Sequence, residues 1–382
     1  MFHIASEEDI KSGIVTDAYF VRTLEILRQK NVNPCVVCEI RAGKLAEAWS
    51  WAVFAGLEEA LNLLAALDKP IDVHALPEGS VFCAREPVLW LEGKYQDLCV
   101  YETALLGLLC QASGIATRAA RCKLAAEGRP VYSFGARRMH PIIAPLVDRN
   151  AYIGGCDGVS VVRSGMMIGQ PAVGTIPHAL ILILGDTVRA ISAFNEKIDG
   201  AIPRIALIDT FGDEKFEALR VAESLGDGLY AIRLDTPSSR RGDFAQLLEE
   251  VRWELDLRGH QNVKIFISGG LSEHTIRLLN PFADGYGVGT AISNSPVVDF
   301  SLDIVEIEGK PLAKRGKWSG RKMLVASPCG ERRVLPASAS IPEGWKPLLK
   351  QIIRDGKIIV DLPSVKEIRN KVLESLEHLT LE

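Results

Sequence analysis

The sequence predicts an α/β protein built on a parallel α/β barrel, closed or incomplete, with a second α/β module formed by its N- and C-terminal segments. Three observations carry that expectation. Between about Arg204 and Ser293 short apolar runs alternate with helical patterns, the runs end in polar or glycine-rich turns, and the rhythm is lost toward both ends of the chain. Strands alternating with amphipathic helices imply parallel pairing with helices as covers, which a barrel provides.

The elements follow in order. The runs IALI at 205–208, YAIRL at 230–234, VKIFI at 263–267 and the glycine-rich GYGV at 285–288 have strand length. Between the second and third, Asp243 predicts a helix N-cap, after which Phe244, Leu247, Leu248, Val251 and Leu255 recur on one face. Earlier strands are expected at PVYSFG (130–135), GVSVV (158–162) and around GTIPHAL (174–180), which makes seven. The expected division is an N-terminal α/β domain over 1–112, a barrel over 113–298, and a C-terminal segment over 299–382 that packs with the N-terminal domain.

Charge narrows the partners. The 44 basic residues nearly balance 48 acidic ones, so a net charge of -4 leaves no footprint for nucleic acid or an anionic membrane surface. The opening MFHIASEEDI is acidic where a signal peptide is basic, and no later run reads as a membrane span, so a cytoplasmic protein acting on small molecules is expected. Cys35 and Cys38 have the spacing of half a zinc site. They fall in a strand-like run, however, where residues three apart point to opposite faces, and no second close pair follows.

In a βα barrel the chemistry collects at the carboxyl ends of the strands. Here two late strands end in Ser268-Gly269-Gly270 and Gly287-Val288-Gly289-Thr290, a pattern that lets backbone N–H groups approach a phosphate. Asp209 and Asp235, at two other ends, suit Mg²⁺ or the hydroxyls of a sugar, and Arg233 suits an anion. Arg137 and Arg138 follow Phe134 closely, which places planar cations near an aromatic surface and fits a flat acidic ring. Taken singly, each also reads as a turn residue or a solvated helix start.

The fragments TDAYF (16–20), YETALLGLLCQASGIAT (101–117), FGARRMHP (134–141), GTIPHAL, IDT (208–210), IRLDTPSSRRG (232–242), SGGL (268–271) and GVGT (287–290) run nearly end to end. In this order and spacing they resemble the nicotinate phosphoribosyltransferases, kin to the nicotinamide and quinolinate enzymes of the same type II fold. The resemblance implies transfer of phosphoribosyl from phosphoribosyl pyrophosphate to the ring nitrogen of nicotinate in NAD biosynthesis, with ATP as co-substrate and Mg²⁺ bound mainly through pyrophosphate. Breaking the anomeric bond builds oxocarbenium-like charge, so stabilising anions and a neutralised leaving group matter more than a nucleophile.

The same resemblance implies roles for particular residues. His178, Asp209 and Asp235 are the expected catalytic set, with His178 the group that ATP phosphorylates. Phe134 and Tyr19 would sandwich the pyridine ring, Tyr19 coming from the second subunit of a homodimer. Arg137 and Arg233 would take the carboxylate, with Thr175 among the substrate contacts. Ser268, Gly269, Gly270, Gly289 and Thr290 would hold the 5′-phosphate, and Lys317 would reach pyrophosphate from the partner subunit. Asp157 falls where nicotinamide-using relatives place an aspartate that reads the amide, yet the motif set as a whole favours nicotinate.

Two departures bear on this. Some relatives carry a four-cysteine zinc knuckle in the C-terminal region, where this chain has Cys329 alone, so no structural zinc is expected. The TRKT-type basic stretch of quinolinate enzymes is also missing. Nicotinamide or quinolinate transfer, and a non-catalytic barrel that binds a phosphate ligand, are the alternatives.

Overall fold

Six short strands follow one another through the middle of the chain: β1 (Val131–Ser133), β2 (Gly158–Val159), β3 (Ile205–Leu207), β4 (Ala231–Leu234), β5 (Lys264–Ser268) and β6 (Gly285–Val288). In the computed structural model, which describes residues 2–382, they form one sheet in the order β2-β1-β6-β5-β4-β3. Every pairing in it is parallel. The sheet ends at β2 and β3, so the barrel is incomplete. Parallel strands connected by helices place all six carboxyl ends on one side.

Local chemistry explains most of these elements. The Asp243 side chain caps helix Phe244–Leu257 by accepting from the Gln246 amide at 3.2 Å, and Phe244, Leu248, Val251 and Leu255 form its buried face. Along β4, Ile232 and Leu234 are fully buried on one face while Arg233 points to the other.

The expected seventh strand is absent. Residues 171–177 are irregular and His178–Leu184 is a helix. Pro171 and Pro177 have no N–H to give a ladder, and the apolar run after Pro177 continues as a helical turn rather than a strand. The expected strand at 158–162 likewise shortens to Gly158–Val159, because Val162–Ile168 is helical.

The six strands belong to a compact unit, Arg118–Ser295. A second unit joins residues 2–117 to Pro296–Thr380. Its seven-stranded sheet has strand Cys35–Ala42 hydrogen-bonded antiparallel to Pro87–Lys94 on one side and to Phe300–Ile307 on the other, so both ends of the chain build one sheet. Ile40, Leu61, Leu64, Leu89, Leu91 and the packed rings of Phe54, Phe82 and Phe300 fill its core. Cys35 and Cys38 lie on that central strand, and Cys38 is buried.

The segment Tyr95–Ala125 is long and apolar enough, by length and composition, to cross a membrane, which the sequence reading did not anticipate. Its Leu105 and Leu109 are core residues of the second unit, and a core helix passes the same test.

Candidate active site

The carboxyl end of the parallel sheet gathers polar groups from several strands. β3 runs into Asp209 and Thr210, β4 into Asp235 and Thr236, β5 into Gly269 and Gly270, β6 into Gly289 and Thr290, and β1 into Phe134. His178, the first residue of helix His178–Leu184, comes to the same place from the irregular segment before it. Its Nδ1 lies 3.0 Å from the Thr210 hydroxyl, and its Nε2 lies 3.7 Å from Asp209 Oδ2 and 3.9 Å from Asp235 Oδ2.

The two aspartates differ in setting. The Asp209 side chain is 2% exposed, and among the described residues neither oxygen has a donor in full hydrogen-bond geometry, the nearby backbone N–H groups of Asp209 and Asp235 being poorly aligned with it. Burial raises its pKa above the ordinary carboxylate value, with Asp235 adding to the rise; His178 and the backbone N–H groups of Asp209 and Asp235 oppose it. Asp235 is a third exposed, and its Oδ1 accepts from the buried Ser268 hydroxyl at 2.9 Å.

Arg233 brings a cation beneath an aromatic ring. Its guanidinium lies 6.0 Å from the centre of the Phe134 ring, and its buried Nε has no hydrogen-bond partner among the described residues. Burial lowers its pKa while Asp235 and Asp209 work the other way. A buried guanidinium beside a ring, with donor capacity to spare, is an anion site in waiting.

The glycines have steric reasons. A Cβ on Gly269, which sits at φ +82°, would come 2.8 Å from Asp235 Oδ1 and 3.1 Å from Arg241 Nη2. A Cβ on Gly287 would come 2.3 Å from the Phe134 ring, so the ring lies across the bare β6 backbone.

Sequence reasoning missed two residues. Arg241 donates from Nε to the Thr236 carbonyl at 2.6 Å, and from Nη2 to the carbonyls of Ser268 at 3.0 Å and Gly269 at 2.5 Å. It fastens the β4 turn to the β5 turn, and as the third arginine of IRLDTPSSRRG it carries no spacing that marks this task. Thr210 was quoted in IDT but given no task, although its hydroxyl holds the His178 ring.

The structure does not bring every expected residue to this place. Asp157 accepts from the Val131 amide at 2.9 Å and from Lys123 at 2.8 Å, and its own N–H donates to the Val131 carbonyl at 2.7 Å. Val131 opens β1, so Asp157 sits at the amino end of the sheet, opposite Phe134 and Arg233; the expectation that it reads the ring substituent is corrected. Arg137 and Arg138 are exposed in the short turn Ala136–Arg138. Thr175 lies half-buried in the irregular stretch, its hydroxyl donating to the Ile176 carbonyl at 3.3 Å. Tyr19 and Lys317 belong to the second unit. There Tyr19 is 57% exposed on helix Ala18–Gln29, and Lys317 lies 2.6 Å from Asp303.

Among the described residues no group of three or more His, Cys, Asp or Glu side chains forms a metal cage. A surface cavity of about 1110 Å³, lined by Arg129, Trp253 and Phe282, lies away from the strand ends. It holds none of the groups just described.

The family model for the quinolinate phosphoribosyl transferase N-terminal domain matches residues 17–113, and that for the C-terminal domain matches 115–303. A nicotinate phosphoribosyltransferase of Mycobacterium tuberculosis is 30% identical, the alignment covering 96% of this chain and 91% of that protein. The enzyme of that name from Bacillus subtilis is 32% identical over 79% of this chain and 68% of its own. Among solved structures, a nicotinate-nucleotide pyrophosphorylase from Pyrococcus furiosus superposes with a TM-score of 0.97, 52% identity and 99% coverage of both chains. Human nicotinic acid phosphoribosyltransferase shares the fold, with a TM-score of 0.77 at 19% identity over 96% of this chain and 94% of its own. The chain belongs to the nicotinate phosphoribosyltransferase family.

Proposed function

We propose that this protein is an enzyme that transfers phosphoribosyl from phosphoribosyl pyrophosphate to nicotinate, giving nicotinate mononucleotide and pyrophosphate for NAD biosynthesis. The observation that carries this reading is the buried Asp209 carboxyl beside His178 and Asp235, at the sheet end that also holds the Arg233–Phe134 pair. A buried carboxylate whose hydrogen bonding the fold leaves incomplete is suited to stabilise positive charge that develops at the anomeric carbon. Ser268, Gly269, Gly270, Gly289 and Thr290 are the proposed 5′-phosphate contacts. Arg233, with Arg137 from the exposed turn that follows Phe134, is assigned the carboxylate of the ring, and Phe134 and Tyr19 its two faces.

Asp209 and Asp235 are two carboxylates without the third needed for a protein cage. They fit Mg²⁺ bound mainly through pyrophosphate oxygens, where the ion neutralises the leaving group. ATP is assigned to His178, whose Nδ1 contact with Thr210 fixes the ring. In this reading 113–298 is the catalytic domain, while 1–112 and 299–382 supply Tyr19 and Lys317 to a neighbouring subunit of a homodimer in the cytoplasm. Support for association comes from helix Ala18–Gln29, which leaves Tyr19, Val21 and Ile26 more than half exposed.

The argument for nicotinamide rested on Asp157, and its pairing with Lys123 and Val131 removes that support. Quinolinate, named by the matched family models, stays the second reading. The test mixes the purified protein with phosphoribosyl pyrophosphate, Mg²⁺ and each of the three pyridines, with and without ATP, and measures pyrophosphate release. Nicotinate should give the highest kcat/KM. Binding without any release would point instead to a ligand-binding barrel.

A further inference from the structure

In the unit that carries Lys317, one buried carboxylate holds two lysines. Asp303 lies on strand Phe300–Ile307 opposite Glu39 and is 5% exposed. Its Oδ2 is 2.6 Å from the Lys317 ammonium, and its Oδ1 is 2.8 Å from that of Lys314. Ser301 completes the arrangement: its hydroxyl donates to Asp303 Oδ2 at 2.9 Å and accepts from Lys317 at 2.8 Å.

The segment bearing the lysines is fixed from other directions too. Lys322 donates to the carbonyls of Trp318 at 3.0 Å and Gly320 at 2.7 Å, while its charge is met by buried Glu39 at 3.0 Å. The Arg41 guanidinium lies 5.5 Å from the centre of the Trp318 ring. Glu102 is the other carboxyl that acts on Lys314, and burial pushes it up to about 7, so near neutrality it offsets the lysine charge only in part.

Two ammonium groups on one carboxylate keep a surplus positive charge, and their mutual repulsion would drive them apart without the acid between them. We propose that Asp303 is a positioning residue for the pyrophosphate end of the substrate: it holds Lys314 and Lys317 together as a preformed cationic pair with charge left over for an anion. Lysine side chains are flexible, and fixing them beforehand lowers the entropy lost on binding. The inference rests on the reading of Lys317 as a pyrophosphate contact.

The test is calorimetric titration of the full-length protein with Mg-pyrophosphate in the wild type, Lys317→Ala, Asp303→Asn and the double variant. Lys317→Ala should weaken binding about tenfold to hundredfold, the range of a lost charge-assisted contact. Asp303→Asn should weaken it by about three- to tenfold, and the double variant should lose less than the product of the two single losses, because the acid acts through Lys317 as well as Lys314. Asp303→Glu should recover part of the loss, and KM for phosphoribosyl pyrophosphate should rise while kcat stays within about threefold. Should Asp303→Asn fail to fold, Ser301→Ala probes the same contacts, with a smaller loss that also shrinks in the Lys317→Ala background. Pyrophosphate affinity unchanged by Lys317→Ala would remove the reading of Lys317 and this proposal with it. A weakened Lys317→Ala beside an Asp303→Asn that binds as well as wild type, or tighter, would overturn the proposal and leave the reading of Lys317 standing.

Discussion

The Asp209 carboxyl is nearly devoid of solvent and of hydrogen-bond partners, and the fold holds it there at a cost to stability. Its folded pKa lies above the unfolded value of about 3.9, so the folded state binds the extra proton between those two values. Stability from this group therefore falls as pH rises from the unfolded value through the raised folded one. Asp209→Asn should remove that slope and stabilise the protein at neutral pH by about 1–2 kcal/mol, while lowering kcat at least about a hundredfold. Urea unfolding across pH, together with the transferase assay, measures both; a variant less stable than wild type would contradict the account. Asp157 should behave oppositely. Losing the charge that meets Lys123 should destabilise Asp157→Asn by about 1 kcal/mol and leave the nicotinate-to-nicotinamide ratio of kcat/KM within about threefold. That ratio shifting tenfold would return Asp157 to the ring.

Strand ends were the legible part of the site, because a short apolar run followed by Asp209, Asp235 or Gly269-Gly270 gives both the element and the end at which its polar residue lies. Asp157 was legible in principle as well: it directly precedes Gly158–Val159, and a residue before a parallel strand lies at the amino end. Arg241 was not, since its three carbonyl acceptors come from Thr236, Ser268 and Gly269, brought together by strand pairing rather than by spacing. The stretch around GTIPHAL misled for a local reason, its apolar residues suiting strand or helix and its prolines deciding against the strand. Glycine in β6 shows what the sheet demands of a sequence. Gly285 and Gly287 would have Cβ atoms 2.4 Å and 2.3 Å from the rings of Phe266 and Phe134, so the aromatic residues of neighbouring strands need bare backbone beside them. Gly287→Ala should cost about 1–3 kcal/mol of stability through overpacking. Because the displaced ring is the proposed pyridine platform, KM for nicotinate should rise more than KM for phosphoribosyl pyrophosphate; equal rises would mean that Phe134 does not carry the ring.

At the scale of the whole molecule, the two proposed faces of the pyridine site lie in different compact units, Phe134 in Arg118–Ser295 and Tyr19 in the unit built from both chain ends. Tyr19 exposes 57% of its surface, and its hydroxyl lies only 3.5 Å from Asp17 Oδ2, which accepts from Thr103 at 2.7 Å. An aromatic ring held out on an anchored helix start, with Val21 and Ile26 also exposed, is suited to burial by another chain. In the proposed twofold dimer the contact would be reciprocal, each site taking Tyr19 from one chain and Phe134 from the other. Tyr19→Ala and Phe134→Ala proteins should each lose most activity alone. Coexpressed, they form mixed dimers in which one site carries both substitutions and the other carries neither. With random pairing half of the dimers are mixed, and half of the sites in those are intact, so about a quarter of wild-type activity should return. Purification through two different tags isolates the mixed species, which should then show about half the activity of wild type per dimer. Verified mixed dimers without activity, from two variants that each fold and bind pyrophosphate, would place both rings in the same chain's site, whereas a Tyr19→Ala protein fully active alone would remove Tyr19 from the site altogether.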